Sequence, residues 1–222
     1  MTDPPPLFKG QLLHFGFLAV VLHVLHHHVD AGSASWGGLP VVWWYRLAIA
    51  VPVAHQIYVW LSWRLQLRDQ AFTSCCGLEK GFRIYVVGFF ALFGSRFLTL
   101  LLLALADQGS VDMAMPLRLA LAAPIFALSG YTMYSMKTYF GFKRAAGIDH
   151  FDPGYRSKPL VREGAFKWTG NAMYVFALQG TWLFGILAAS KLAMIVAAFQ
   201  TVYIWVHYFA TEKPDMEHLY GA

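Results

Sequence analysis

The chain has 222 residues, of which 58% are hydrophobic and only 13% are charged, and its mean hydropathy is +0.48. Soluble domains carry about 25% charged residues, so this composition excludes an ordinary soluble protein and indicates a membrane protein. The net charge of +5 mostly reflects the orientation of the chain in the membrane. A basic face against anionic lipid headgroups explains this charge at least as well as an acidic ligand does. No nucleic-acid-binding motif accompanies it.

Six apolar segments follow one another along the chain. They cover residues 11–28, 42–63, 83–106, 114–136, 172–188 and 191–209. A helix needs about 20 residues to cross a bilayer, so we expect an all-α, polytopic transmembrane bundle of about six spans. Little length remains for a soluble domain, and residues 1–222 are expected to form a single membrane-embedded domain.

The last two apolar segments are separated only by the tripeptide ASK at residues 189–191. A connection this short predicts a C-terminal helical hairpin. Its outer ends, near Asn171 and near Glu212, should return to the same membrane face.

Basic residues are concentrated on alternate connections between the apolar segments. By the positive-inside rule, both termini and the loop 137–171 are expected to face the cytoplasm, in an inner membrane if the cell is bacterial. The residues concerned are Arg64, Arg68, Lys80, Arg83, Lys137, Lys143, Arg144, Arg156, Lys158, Arg162, Lys167 and Lys213.

Histidines are clustered at the end of the first apolar segment. His23, His26 and His27 have the i, i+3 and i+4 spacing that places side chains on one helix face, so a metal or haem site is conceivable. Against it, the cluster lies at an expected membrane interface, and no cysteine or paired carboxylates accompany it. A non-enzymatic metal- or haem-binding membrane protein therefore remains an alternative.

Arg96 lies inside the third apolar segment. A charged residue at such a position costs about 2.5–3.5 kcal/mol on insertion scales, so it needs a partner. Two interpretations are open. Arg96 either lines a polar core of the bundle, or it snorkels or bonds a backbone carbonyl beside Gly94 and Ser95.

Polar residues are most concentrated in two stretches, 135–171 and 207–221. The predicted hairpin brings the second stretch back beside the first, at the cytoplasmic face. Converging polar groups next to glycine-rich, non-helical backbone are what a polar cofactor requires.

Motifs in these stretches have the order and spacing of a known family. They are Gly130, YFG at 139–141, GAFKWTGNAMY at 164–174, and EKP at 212–214 followed by Tyr220. Over about residues 125–221 the chain resembles the integral-membrane phospholipid N-methyltransferases, which are related to the isoprenylcysteine carboxyl methyltransferases. It departs from their pattern at three positions, where Gly170, Ala172 and Lys213 replace the usual arginine, proline and second glutamate.

The resemblance implies methyl transfer from S-adenosylmethionine to a lipid acceptor in the bilayer, most directly the amine of phosphatidylethanolamine or its methylated derivatives. It implies that the cofactor is bound around Gly130, Gly164, Phe166, Asn171, Met173, Tyr174 and Glu212. The Glu212 carboxylate would hold the ribose hydroxyls or the ammonium of the cofactor. The same chemistry on another hydrophobic acceptor, such as a thiol, an isoprenyl-linked carboxylate or a small amine, stays open.

An ammonium acceptor must lose a proton before it attacks, so a base is expected near the headgroup. The segment GIDHFDPGYR supplies His150 and Asp152 as catalytic candidates, with Asp149 as a weaker one. Tyr139, Arg156 and Lys158 are the candidates for binding the lipid substrate, the last two through its phosphate. For Asp152 an Asx-type turn at FDPG is the structural alternative. The oligomeric state is not indicated.

Overall fold

The computed structural model describes residues 3–221. The first half consists of four long helices, which are α1 (Gln11–His28), α2 (Val41–Asp69), α3 (Gly77–Ala106) and α4 (Met115–Ser135). Two short antiparallel strands, β1 (Ser35–Trp36) and β2 (Leu39–Pro40), pair Ser35 with Pro40 between α1 and α2. The rest of the regular structure in the described residues is helical, which confirms the predicted all-α class.

The second half is assembled from shorter pieces, and three of them are π-helical. They are the segments Met136–Phe140, Met173–Ala177 and Tyr208–Glu212. The α-helices are α5 (Phe142–Ala145), α6 (Pro153–Arg156), α7 (Trp182–Ala188), α8 (Lys191–His207) and α9 (Lys213–Tyr220). Short 3-10 turns cover Ile148–His150, Gly164–Lys167 and Leu178–Thr181. Because π-helical turns are rare and occur often at functional sites, their concentration here marks this half of the chain.

The expected count of six spans is not confirmed. Among the described residues, three helical stretches are long and apolar enough to cross a membrane, namely Gly77–Ala106, Met115–Phe140 and Lys191–Tyr220. The apolar stretch Met173–Ala188 is shorter. The histidines at both ends of α1 lower the hydropathy of that helix. Polar side chains along α2 lower its hydropathy in the same way, and they include Arg46, His55, Gln56 and Arg64.

The C-terminal hairpin is confirmed. Helix α7 ends at Ala188, Ala189 turns the chain in a left-handed conformation with φ of 50°, and the Ser190 side chain caps α8 by accepting from the amide of Ala193. Gly185 permits the close approach of the two arms, since a Cβ there would lie 2.6 Å from Met194 Cγ. The hairpin therefore requires glycine at this position.

Two of the three buried clusters of the described residues hold the long helices together, and the third contains Met136, Ala165, Phe166 and Ala172. The larger joins α2, α3 and α8 through residues such as Ala48, Leu100, Val196 and Tyr203. The second packs the 146–151 loop against α2 and α3, through Trp63, Phe82, Tyr85, Ile148 and Phe151. This second cluster fixes the polar loop to the end of the helices and so positions the candidate site.

Arg96 lies in the polar core rather than against a backbone carbonyl. Its side chain is buried, with Nε and Nη2 donating to Gln200 Oε1 at 3.3 and 3.1 Å and Nη1 lying 3.2 Å from His55 Nδ1. Because a guanidinium only donates, His55 must accept at Nδ1. Of the two interpretations of Arg96, the structure supports the first.

Candidate functional site

A hydrogen bond joins the two outer ends of the hairpin. The hydroxyl of Tyr174 donates to Oε2 of Glu212, and both side chains are partly buried. Tyr174 lies in the π-helical segment Met173–Ala177 and Glu212 ends the π-helical segment Tyr208–Glu212. The hairpin therefore brings together the two residues that the sequence assigned to the cofactor from opposite arms.

Two further aromatic rings adjoin this pair. The ring centroid of Tyr174 is 6.1 Å from that of Trp205 and 6.4 Å from that of Tyr208, and the latter two are 5.7 Å apart. All three rings are partly exposed. Sequence reasoning did not single out Trp205 or Tyr208, and the only available signal was their i, i+3 spacing just before the EKP motif.

The backbone at residues 164–166 is packed tightly against the first π-helical segment. Gly164 has φ of 57°, and a Cβ at this position would lie 2.5 Å from Ser135 Oγ and 3.0 Å from Tyr139 Cδ2. The amide of Ala165 donates to Ser135 Oγ at 3.1 Å. Phe166 is buried and stacks on Phe140 with centroids 4.9 Å apart. Residues 164–166 are therefore packed closely against Ser135, Tyr139 and Phe140.

The other predicted cofactor residues differ in their surroundings. Asn171 accepts at its carbonyl from the amides of Tyr174 and Val175, which starts the second π-helical segment. Met173 packs against the cluster that contains Phe166. Gly130, in contrast, lies within α4 with no atom within 4 Å of an added Cβ, so no close approach there requires glycine.

His150 belongs to a second polar group at the same end of the molecule. Its ring stacks on Trp63 with centroids 4.0 Å apart, and its Nε2 lies 3.4 Å from Oδ2 of Asp215. Asp215 follows Glu212 by three residues, so the two carboxylates lie one helical turn apart. His150 is buried, with 3% of its surface exposed.

Arg64 and Asp215 form a fully buried ion pair that sequence reasoning missed. Arg64 Nε lies 2.6 Å from Oδ1 of Asp215, and both side chains are 0% exposed. Arg64 also donates to the backbone carbonyls of Pro6 and Thr211. The sequence analysis counted Arg64 among the basic residues of the loops. In the structure Arg64 is instead a buried residue of α2, and its guanidinium links α2 to the N-terminal segment and to α9.

Asp149 is held by three neighbours. Its Oδ2 accepts from the Tyr220 hydroxyl and lies 3.7 Å from Arg144 Nε, and its carbonyl accepts from Arg156 Nε at 2.9 Å. Burial lowers the pKa of Arg156, and the Asp149 carboxylate acts in the opposite direction. One donor of Arg156 is therefore used within the loop, whereas the sequence assigned its guanidinium to a lipid phosphate.

Asp152 forms the turn that was its structural alternative. Its Oδ1 accepts from the amide of Gly154 at 2.8 Å and caps α6. The remaining headgroup candidates lie near the surface: Lys158 Nζ is 3.6 Å above the ring of Tyr155, and Tyr139 is exposed beside Gly164. Neither makes a described hydrogen bond or ion pair with His150 or Glu212.

The histidine cluster of α1 does not have the arrangement of a metal site. The rings of His23 and His27 are 4.4 Å apart, those of His26 and His27 are 4.8 Å apart, and all three side chains are exposed. Within residues 3–221, no group of three histidine, cysteine or acidic side chains is placed to hold a metal ion. The geometry gives no support to the metal-binding alternative.

Comparison with protein families identifies the class of the C-terminal half. Residues 117–222 match the family model described as phospholipid methyltransferase. This match confirms the resemblance found in the sequence motifs, and three helices of the described residues are long and apolar enough to cross a membrane. Comparison of the chain with curated proteins and with solved structures gave no match. The relation to isoprenylcysteine carboxyl methyltransferases stays a prediction.

Proposed function

We propose that this protein transfers methyl groups from S-adenosylmethionine to an acceptor embedded in the bilayer, and that the acceptor is the amine of phosphatidylethanolamine or its methylated derivatives. The observation that carries the proposal is the Tyr174–Glu212 pair. It places an acid and a hydroxyl between two π-helical segments at the end of an apolar hairpin, inside the segment that matches the phospholipid methyltransferases.

The residues at this end of the hairpin fit the proposed cofactor. S-adenosylmethionine, when bound, supplies a methyl group activated by a sulfonium. Glu212 is partly buried and has no ion-pair partner among the described residues, so its carboxylate suits a ribose diol or a cationic group. The closely packed backbone at Gly164 would hold a bound cofactor in a fixed position. Holding the reactants in near-attack geometry is the main task of a protein in such a transfer.

His150 and Asp152 are the proposed proton acceptors, and their surroundings make them unequal. The Asp215 carboxylate lies 3.4 Å from Nε2 of His150, where it can orient the imidazole ring. Asp152 already accepts a hydrogen bond from the amide of Gly154, so its carboxylate is engaged in capping α6. We therefore assign the role to His150. In the same proposal Tyr139, Arg156 and Lys158 bind the lipid headgroup.

The proposal treats the whole chain as one functional domain. Gln11 donates to Thr211 Oγ1, Trp60 donates to the carbonyl of Leu7, and Arg64 pairs with Asp215. The first and third of these contacts join the N-terminal half to Thr211 and Asp215, which flank Glu212, and the second holds the N-terminal segment against α2. Integrity of the site would therefore depend on residues outside the matched segment.

A direct test is to reconstitute the purified protein in vesicles that contain phosphatidylethanolamine and to add S-adenosylmethionine. Mass spectrometry of the headgroups should detect mono-, di- or trimethylated lipid, and Glu212→Gln should lower the yield. If no amine lipid gains a methyl while a thiol or an isoprenyl-linked carboxylate does, the proposed acceptor is wrong. If no acceptor of any kind is methylated, the proposed activity is wrong.

A further inference from the structure

Three neighbouring aromatic rings lie nearly perpendicular to one another, namely those of Tyr174, Trp205 and Tyr208. The planes of Tyr174 and Trp205 cross at 79°, those of Tyr174 and Tyr208 at 72°, and those of Trp205 and Tyr208 at 81°. All three rings are neither fully buried nor fully exposed, so part of each remains accessible. We call these three residues the aromatic corner.

An acidic side chain lies at the aromatic corner. Tyr174 donates to Glu212, which places the carboxylate beside the three rings. The ion pairs of the described residues involve Arg64, Arg83, Arg144 and His150, and none of them reaches Glu212. A partly buried carboxylate without a cation favours binding one, and so do the faces of aromatic rings, whose π electrons attract positive charge.

We propose that the aromatic corner with Glu212 binds an alkylated onium group, meaning a cation whose charge is covered by methyl or methylene groups. This inference rests on the proposed function and refines it. An alkylated onium has few or no N–H donors, so it gains little from hydrogen-bond acceptors and is held instead by ring faces and a nearby carboxylate. Two sources share this chemistry, the methylated ammonium of a phospholipid headgroup and the sulfonium of the cofactor.

The backbone around the corner supports this assignment. Tyr174 and Tyr208 lie in two separate π-helical segments, and Trp205 lies in the last turn of α8 just before the second of them. A π-helical turn carries one extra residue and so changes the direction in which the side chains that follow it point. The ring of Tyr174, on one arm of the hairpin, lies beside the rings of Trp205 and Tyr208 on the other arm.

An ordinary interfacial belt of aromatic residues makes a different prediction. Trp and Tyr collect at membrane interfaces without any ligand, and such a role does not depend on the methylation of a headgroup. Trp168 provides the matched control. It is 60% exposed and packs edge-on to Phe176, and its nearest acid by sequence, Glu163, bonds to the amide of Arg162.

The first arm of the test measures binding of short-chain phosphatidylcholine and short-chain phosphatidylethanolamine to the purified full chain, by calorimetry and without methyl transfer. The wild-type protein should bind the choline lipid more tightly. Trp205→Leu should weaken that binding by about two- to thirtyfold and remove the preference, with Tyr208→Leu as a second variant. Trp205→Phe should keep part of the preference, and Trp168→Leu should keep all of it.

The second arm compares S-adenosylmethionine with S-adenosylhomocysteine, which lacks the positive charge on sulfur. Loss of discrimination between these two in Trp205→Leu assigns the corner to the sulfonium, and loss of discrimination between the two lipids assigns it to the headgroup. If the folded Trp205 and Tyr208 variants keep both preferences, the inference is overturned.

The methylation assay separates this inference from the proposed function. If the protein binds alkylated onium ligands preferentially but transfers no methyl group, the proposed function is contradicted and the inference about the aromatic corner is supported. If the protein transfers methyl groups but its ligand preferences are unchanged in the Trp205 and Tyr208 variants, the proposed function stands and the inference about the aromatic corner is contradicted.

Discussion

At the scale of single residues, Glu212 and Asp215 show how one helical turn separates two roles. Asp215 is fully buried between Arg64 and His150, so its charge is compensated within the protein. Glu212 is only partly buried, and its described partner is the neutral hydroxyl of Tyr174. The first carboxylate is therefore satisfied within the protein, and we propose that the second is available for a ligand.

Breaking the buried ion pair should be costly. Asp215→Asn leaves the Arg64 guanidinium without its anion inside the protein, and such a loss costs about 3–5 kcal/mol. Thermal unfolding in detergent should show a large decrease in stability. The matched control is Glu79→Gln, which removes the exposed partner of Arg83 and should cost less than about 1 kcal/mol. Similar, small losses in both variants would contradict the buried pair.

His150 and Asp152 should respond differently to substitution. His150→Ala should lower methyl transfer and change its pH dependence, because it removes the proposed proton acceptor. Asp152→Ala should mainly cost the cap of a four-residue helix, about 1 kcal/mol of stability at most, with an unchanged pH profile. Initial rates over a range of pH, together with melting curves, decide between them. An altered pH profile in Asp152→Ala alone would reverse the assignment.

The sequence predicted that the motifs containing Tyr174 and Glu212 lie at one end of the molecule, because the short connection between the last two apolar segments makes a hairpin. It could not identify Arg64 and Asp215 as partners. They are separated by about 150 residues, and an arginine at the end of an apolar segment has the same pattern whether it faces headgroups or a buried carboxylate. Aromatic residues near a membrane surface are equally ambiguous, which is why Trp205 and Tyr208 were missed.

At the scale of elements, the hairpin depends on one glycine. An added Cβ at Gly185 would lie 2.6 Å from Met194 Cγ and 2.7 Å from the Met194 backbone nitrogen. Gly185→Ala should therefore destabilise the protein by about 1–3 kcal/mol, as overpacking does. Gly180→Ala is the control, since its added Cβ would lie 3.5 Å from Ser129, an ordinary contact. Equal melting temperatures for the two variants would show that the arms are less closely packed.

The order of the apolar segments was predictable because hydropathy responds to composition over many residues, whereas α2 and α3 extend beyond the predicted segments 42–63 and 83–106. The start of α1 at residue 11 and the turn at residues 189–190 agree with the sequence analysis. The π-helical and 3-10 turns were not predictable. An apolar segment has the same hydropathy whether its hydrogen bonds span three, four or five residues, so the composition of Met173–Thr181 does not reveal its departure from α-helix.

At the scale of the whole molecule, the polar ends converge on one side. The loop around Asp149, the end of α9 and the N-terminal segment meet through Tyr220 and Arg64. We predict that this side faces the cytoplasm. In a variant with Cys75 and Cys76 replaced by serine, new cysteines at Ser157 and Ser110 should be labelled from opposite sides of sealed vesicles. Labelling of both positions from one side would contradict the topology.

The central claim is that the hairpin end around Glu212 binds the methyl donor, and the affinity of purified protein for S-adenosylmethionine tests it most directly. Glu212→Gln removes a charged acceptor worth about 1.5–3 kcal/mol, so calorimetry should show affinity weakened at least about tenfold. Glu217→Gln, on the exposed face of α9, should bind as the wild type does. Unchanged affinity in a folded Glu212→Gln protein would contradict the account.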